Sequence, residues 1–297
     1  MAKFSLLQFC ALIAPVCAIY ALPSPAPAGR TSESFDAAEE RAAMKAAMER
    51  HGGNVPSRSS YFGIVDLAGF PKDRFYLYQS RWRPDLPMAH LLPHWTWHGR
   101  EGEVTPVHLY TSGDEAELFL NGKSLGRRKR GAHDYRLRWD DVLYESGELK
   151  AVAYRQGRPW AEAIRRTAGP AAGLELTVNC ETIRADGGDL AFITVRVVDA
   201  NGNGVPEAKP LIKFSLERPA DIAGLDNGDA TSLRSFQGRE MAAFSGQCLA
   251  IVRSRAGVPG TIELTAKAAD LPAAKVRIAA ELEKAIARAS TGLAPQR

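Results

Sequence analysis

The chain has 297 residues, a formal net charge of +4, 45% hydrophobic and 24% charged residues. That composition describes an ordinary globular protein and excludes a low-complexity, collagen-like or wholly membrane-embedded chain. Length gives room for about two domains, and the positive charge gathers partly in one run, Arg127-Arg128-Lys129-Arg130, with no interleaved aromatics, so no nucleic-acid partner is expected.

From the N-terminus, Met1-Ala2-Lys3 is followed by an apolar run from Phe4 to Leu22. It reads as a secretory signal with cleavage after Ala18, where Val16-Cys17-Ala18 precedes a proline-rich stretch. An uncleaved anchor helix is the alternative, although about 20 unbroken apolar residues are needed to span a bilayer and Pro15 interrupts this run. With residues 1–18 removed, the chain is expected to be secreted and extracellular, with no membrane partner. Residues 19–56 hold the spacer and then a leader helix, in which Asp36 is the N-cap, Glu39 follows three residues later and Gly52-Gly53 is the stop.

Residues 57–84 read as one βα unit: a short strand at Tyr61–Asp66, a turn at Gly69-Phe70-Pro71-Lys72, and an aromatic-rich helix from Asp73 to Trp82. Such a unit cannot bury its own faces. Exposed apolar surface and self-association through 61–82 are therefore expected. Beyond Pro84 short strands come at β-sandwich spacing: His94–Trp97, Val104–Thr111, Glu115–Leu120, Leu125–Gly126, Tyr135–Trp139, Gly147–Arg155 and Arg158–Arg166. Asn121-Gly122 marks the clearest hairpin, because that dipeptide accepts the positive φ angles of a type I′ turn.

A small-residue linker at 168–173 opens a second set, with strands expected at Leu174–Asn179, Leu190–Asp199, Leu211–Glu217, Gly246–Ser254 and Gly260–Ala268. Ala279–Ala289 has helical composition and runs into a polar tail at 281–297. The fold class is thus mainly β: two tandem β-sandwiches, 85–168 and 169–280, preceded by a short βα segment and an N-terminal helix.

Candidate chemistry is sparse. Neither Asp114, Glu115 and Glu117 nor Asp140-Asp141 presents two convergent carboxyls, since neighbouring residues on a strand point to opposite faces. Asp226-Asn227-Gly228-Asp229 lacks the alternating acids and closing glutamate of a strong calcium loop, and the six histidines show no ligand spacing. No metal and no cofactor are expected. Trp95 and Trp97 are the candidates for stacking on a sugar, so carbohydrate is a possible partner; packing of both rings against the helix that ends at Trp82 is the alternative. Signal cleavage would remove Cys10 and Cys17, leaving Cys180 and Cys248 either as a disulfide or as two unpaired thiols.

Tyr61-Phe62-Gly63-Ile64-Val65-Asp66-Leu67-Ala68-Gly69-Phe70-Pro71-Lys72-Asp73 with Tyr78-Gln79-Ser80, then Pro93-His94-Trp95-Thr96-Trp97, then Ala116-Glu117-Leu118-Phe119-Leu120-Asn121-Gly122-Lys123-Ser124-Leu125-Gly126, resemble in order and content the C-terminal region of bacterial-type family 2 β-galactosidases. The resemblance implies that 57–84 is the last βα unit of the catalytic barrel, that 85–168 is the immunoglobulin-like domain after it, and that 169–280 is similar to the invasin-like domain that follows. It also implies that the catalytic glutamates belong to earlier barrel strands. Retaining hydrolysis needs two carboxyls about 5–5.5 Å apart, the family places one in an Asn-Glu pair, and this sequence has no Asn-Glu dipeptide. No catalytic residue is therefore expected here. The function expected is that of a non-catalytic, secreted accessory portion of such a hydrolase, with a free-standing carbohydrate-binding or adhesive sandwich as the alternative.

Overall fold

Residues 63–217 and 219–282 are described by the structure, a computed structural model, and all of them fall in one compact unit, Arg58–Arg297. The expected signal, spacer and leader helix, and most of the tail, lie outside the described residues. The one helix among the described residues, α1 (Asp73–Trp82), begins with an acid that suits the positive end of the helix dipole and ends at Arg83, whose N–H is donated to Gln79 O. The strand expected before it is reduced to a single bridge, Val65 to Pro71, around a turn in which Asp66 Oδ1 accepts the Phe70 N–H at 2.9 Å. Tyr61 and Phe62 of that expected strand lie outside the described residues, and among the described residues Gly63–Asp66 pairs with no named strand.

Seven strands build the first sandwich: β1 (Ala89–Leu92), β2 (Val107–Thr111), β3 (Glu115–Leu120), β4 (Lys123–Lys129), β5 (Leu137–Trp139), β6 (Glu148–Arg155) and β7 (Arg158–Arg166). One sheet runs β1-β2-β5 and the other β4-β3-β6-β7. The period of two in sequence is the cause. On β3 the buried residues are Ala116, Leu118 and Leu120, and on β6 they are Leu149, Ala151 and Ala153; all six point at Val107, Leu109, Leu91 and Trp95 in one core. Each buried Val or Leu contributes about 1.5–3 kcal/mol. Asn121 and Gly122 have φ of 50° and 82°, the two-residue hairpin read from sequence, and Gln156-Gly157 closes β6 to β7 in the same way at 51° and 75°. Asn121 does more than turn: its Oδ1 accepts the Glu148 N–H at 2.8 Å and its Nδ2 donates to Ser146 O at 3.1 Å, fixing the entry to β6. Gly147 must be glycine there, because its φ is 136° and a Cβ would overlap Asn121 Oδ1.

The second sandwich has β8 (Gly173–Val178), β9 (Thr182–Arg184), β10 (Leu190–Val198), β11 (Leu211–Leu216), β12 (Ala220–Asp226), β13 (Glu240–Ala242), β14 (Gln247–Ser254), β15 (Gly260–Ala268) and β16 (Ala274–Glu281). Its sheets run β12-β14-β10-β8 and β13-β11-β15-β16-β9. Ile193, Val195 and Val197 of β10 and Cys248, Ala250 and Val252 of β14 face Ile212, Phe214, Ile262 and Leu264 across the core. The other face of β10 carries Phe192, which is exposed, so this strand is covered on one side only. The helical composition of Ala279–Ala289 misleads at its start, where Ala279, Ala280 and Glu281 complete β16 and pair in parallel with β9. Sheet pairing overrides alanine's helix propensity at that edge.

Candidate functional site

His94–Trp97 is not a strand. After the cis Leu92–Pro93 bond the chain leaves β1 and runs irregularly, and this places the two tryptophans differently from two residues sharing a strand face. Trp95 lies in the first core at 1% exposure, with Nε1 donating to Glu145 O at 3.0 Å and its ring against the edge of Tyr144 at 5.1 Å. It has no open face for a sugar, and its assignment as a sugar contact is corrected to core packing. Trp97 is half-buried; His94 stacks on it at 4.1 Å, the Arg100 guanidinium lies 5.1 Å from its ring centre, and its Nε1 donates to His94 O at 3.0 Å. Among the described residues neither ring meets Trp82, which lies tilted against Tyr78 with ring centres 4.9 Å apart and remains largely exposed.

His94, Trp95 and Thr96 form one wall of a cleft between the sandwiches. Its volume is about 520 Å³, and its lining includes Tyr76 of α1, His94, Arg165 and Arg166 of β7, Arg196 of β10 and Gln247 of β14. Two hydrogen bonds fix the linker between the sandwiches: Ala168 N donates to Thr96 Oγ1 at 3.0 Å and Gly169 N to Asp199 Oδ2 at 2.9 Å. Burial is the main reason the His94 imidazole titrates below its ordinary 6.5, with Glu207 opposing and Arg165 adding to the effect. His94 is therefore neutral at pH 7.

A carboxyl that serves as a general acid must be held protonated near neutral pH. Among the described residues the acids are mostly spent on cations or backbone. Glu263 is held low by Lys275 and Arg277, Asp221 by Arg255, and Asp186 by the N–H groups of Gly188 and Asp189. Asp66 moves the other way: burial raises it, the Phe70 N–H lowers it and the charge of Asp226 raises it again. It is locked into its own turn, and Gly228, at φ 76°, leaves it the room a Cβ would fill. Asp226 Oδ1 in turn accepts the N–H groups of Asn227 and Gly228, and Asp229 Oδ1 that of Thr231, so this loop's acids serve its own backbone.

Cys180 and Cys248 are both free. Cys248 is buried in mid-strand beside Val195, where desolvation pushes its thiol up to about 12; Cys180 is partly buried near Leu190 O. The possible disulfide is corrected to two separate thiols, Cys248 acting as a small apolar core residue. The feature that sequence reading missed is the cleft itself. Arg165 and Tyr76 are far apart in the chain, and the signal that could have hinted at them is Arg165 directly after the half-apolar stretch Trp160–Ile164 of β7.

Comparison with known proteins places these domains. Residues 174–277 match the model for glycoside hydrolase family 2 C-terminal domain 5, and residues 102–161 match a domain of unknown function, DUF4982. The chain is 43% identical over 226 residues to beta-galactosidase BoGH2A of Bacteroides ovatus, covering 76% of this chain and 26% of that protein. It is 35% identical over 183 residues to a putative beta-glucuronidase of Formosa agariphila, covering 60% of this chain and 17% of the other. Among solved structures, a beta-glycosidase from Bacteroides vulgatus superposes with a TM-score of 0.72 at 33% identity over 76% of this chain and 29% of its own. The chain thus spans about a quarter of the length of the first of these relatives.

Proposed function

Given that the chain belongs to the C-terminal region of family 2 glycoside hydrolases, we propose that it is the accessory, non-catalytic portion of a secreted enzyme of β-galactosidase type. The carrying observation is the match itself: a C-terminal domain model over the second sandwich, and high identity to a beta-galactosidase confined to 26% of that protein's length. Glu263, Asp221 and Asp186, held low by cations or backbone N–H groups, support the absence of turnover. The apolar run from Phe4 to Leu22 supports secretion. In this reading the sandwiches brace a catalytic body and shape its surroundings.

The purified chain is expected to release no nitrophenol from nitrophenyl β-galactoside or β-glucuronide above a heat-denatured control. Catalytic release that persists through purification overturns the reading.

The exposed side of α1 supports a second part of it. Trp82 is 65% exposed and lies tilted against Tyr78, and Val65 and Leu67 are also exposed. Large apolar groups left in water favour association, so this surface is the place where the rest of an enzyme, or a second copy of the chain, would sit. Sedimentation velocity is expected to show a concentration-dependent dimer that Trp82→Glu weakens about ten-fold or more, as the burial of one indole allows. A dimer unchanged by that substitution places the contact elsewhere.

A further inference from the structure

Three arginines line the cleft between the sandwiches, and two of them are neutralised. Arg166 Nη2 meets Glu148 Oε2 at 2.6 Å, and Arg196 Nη1 meets Glu175 Oε2 at 2.8 Å. Arg165 has no carboxylate partner among the described residues. Its Nη1 donates to Ile164 O and its Nη2 to His90 Nδ1, both at 3.3 Å. His90 stacks flat on Tyr76 at 3.8 Å and its Nε2 lies 2.8 Å from Asp73 Oδ1. With the ring proton on Nε2, donated to Asp73, Nδ1 is a neutral acceptor. Asp73 therefore reaches Arg165 only through an imidazole, and the remaining guanidinium N–H groups have no protein acceptor among the described residues.

A partly buried guanidinium without a counter-ion, facing an open cleft, is a site suited to an oxyanion, and its planar fork matches a carboxylate. Burial lowers the Arg165 pKa, the charges of Tyr76 and Asp73 opposing, which is the electrostatic trace of that missing partner. Around it the cleft offers groups that suit hydroxyls. The Tyr76 hydroxyl, the second nitrogen of His94, and the side chains of Ser245 and Gln247 line it without a protein hydrogen-bond partner among the described residues. Burial raises the Tyr76 pKa, so the phenol stays a donor at neutral pH. A volume of about 520 Å³ lies within the ~300–1,000 Å³ of small-molecule sites.

We propose that this cleft binds an acidic sugar, with Arg165 taking its carboxylate and Tyr76, His94 and Gln247 meeting its hydroxyls. That the ligand is a saccharide rests on the family reading above. The anion contact rests on Arg165, so a hydrolysis assay and a binding assay fail independently.

The test is calorimetric titration of the full chain with a glucuronic acid-terminated disaccharide and with its carboxyl-reduced counterpart, which differ only in the charged group. The acid is expected to bind at least about ten-fold more tightly, and to weaken as salt is raised. Arg165→Gln is expected to remove that preference while leaving the circular dichroism spectrum native, and Arg165→Lys to restore part of it. Equal binding of the two sugars, no binding of either, or an Arg165→Gln protein that keeps the preference overturns the proposal. Tighter binding of a sulfated disaccharide than of the uronate overturns the carboxylate assignment. Should Arg165→Gln unfold, the comparison of the two sugars on the unsubstituted chain still decides.

Discussion

Trp95→Ala is expected to lower the stability of the first sandwich by about 3–5 kcal/mol, the range for truncating a large buried aromatic. The indole is at 1% exposure among Leu91, Leu109, Leu118 and Leu149, and its removal leaves a cavity lined by side chains whose own backbones are held in two sheets and cannot collapse into it. The same change strands Glu145 O, which the indole N–H satisfies at 3.0 Å, and takes the edge contact from Tyr144. Tyr144 is itself a junction: its hydroxyl accepts the Trp97 N–H at 3.1 Å and lies 3.3 Å from Thr167 Oγ1. Urea unfolding followed by circular dichroism measures the cost. A loss under about 1 kcal/mol would place the ring outside the cooperative core and reopen Trp95 as a binding residue.

The second large effect is expected at Asp199. This carboxylate is buried at 4% exposure, which works against its charge, yet Gly169 N, Asn203 Nδ2, Asn203 N and Asn201 N donate to it at 2.8–3.0 Å and together hold its pKa at about 2 against an ordinary 3.8. Its folded-state pKa is depressed, so the stabilisation is fully present above about 4 and is lost as pH falls through about 2. Asp199→Ala is expected to cost about 2–4 kcal/mol at pH 7, because several buried N–H groups lose their acceptor at once. The gap between the two proteins should narrow as the pH approaches 2. One of those donors, Gly169, belongs to the linker between the sandwiches, so the substitution should also speed proteolysis within 167–172. A stability gap that stays constant down to pH 2 would show that the carboxylate's charge is not what holds the loop.

Much of the fold was legible where two signals agreed. Glu115–Leu120, Arg158–Arg166, Gly260–Ala268 and the helix Asp73–Trp82 have the bounds expected from alternation, turn residues and capping. They are long, periodic and bounded by Asn121-Gly122, Gln156-Gly157 or Pro71. Alanine-rich Ala274–Glu281 escaped because its composition reads as helix, and the other strands that escaped are short or irregular. Thr182–Arg184 and Glu240–Ala242 hold three residues each, too few for a period to register, and Ala220–Asp226 is bent at Ile222/Gly224 by a register shift.

The tryptophan segment failed for a different reason. Pro93-His94-Trp95-Thr96-Trp97 alternates like a strand, but Pro93 donates no hydrogen bond and the segment's N–H groups go instead to Tyr144 and His94. Alternation implied one shared face, whereas the irregular backbone sends Trp95 into the core and leaves Trp97 half-buried. The cleft was invisible because it is made by docking two sandwiches, and no local pattern encodes which residues meet there.

The parallel pairing of β9 with β16 bears on where the second domain ends. The family pattern reaches residue 277, whereas Ala279, Ala280 and Glu281 still pair with Thr182, Ile183 and Arg184, and Ile278 and Ala280 are buried. The last described strand thus acts as a clasp on β9, and the hydrogen bonding of the domain reaches at least to Glu281. A chain shortened to the pattern's limit would leave β9 an unpaired edge and open the apolar layer beneath it to water.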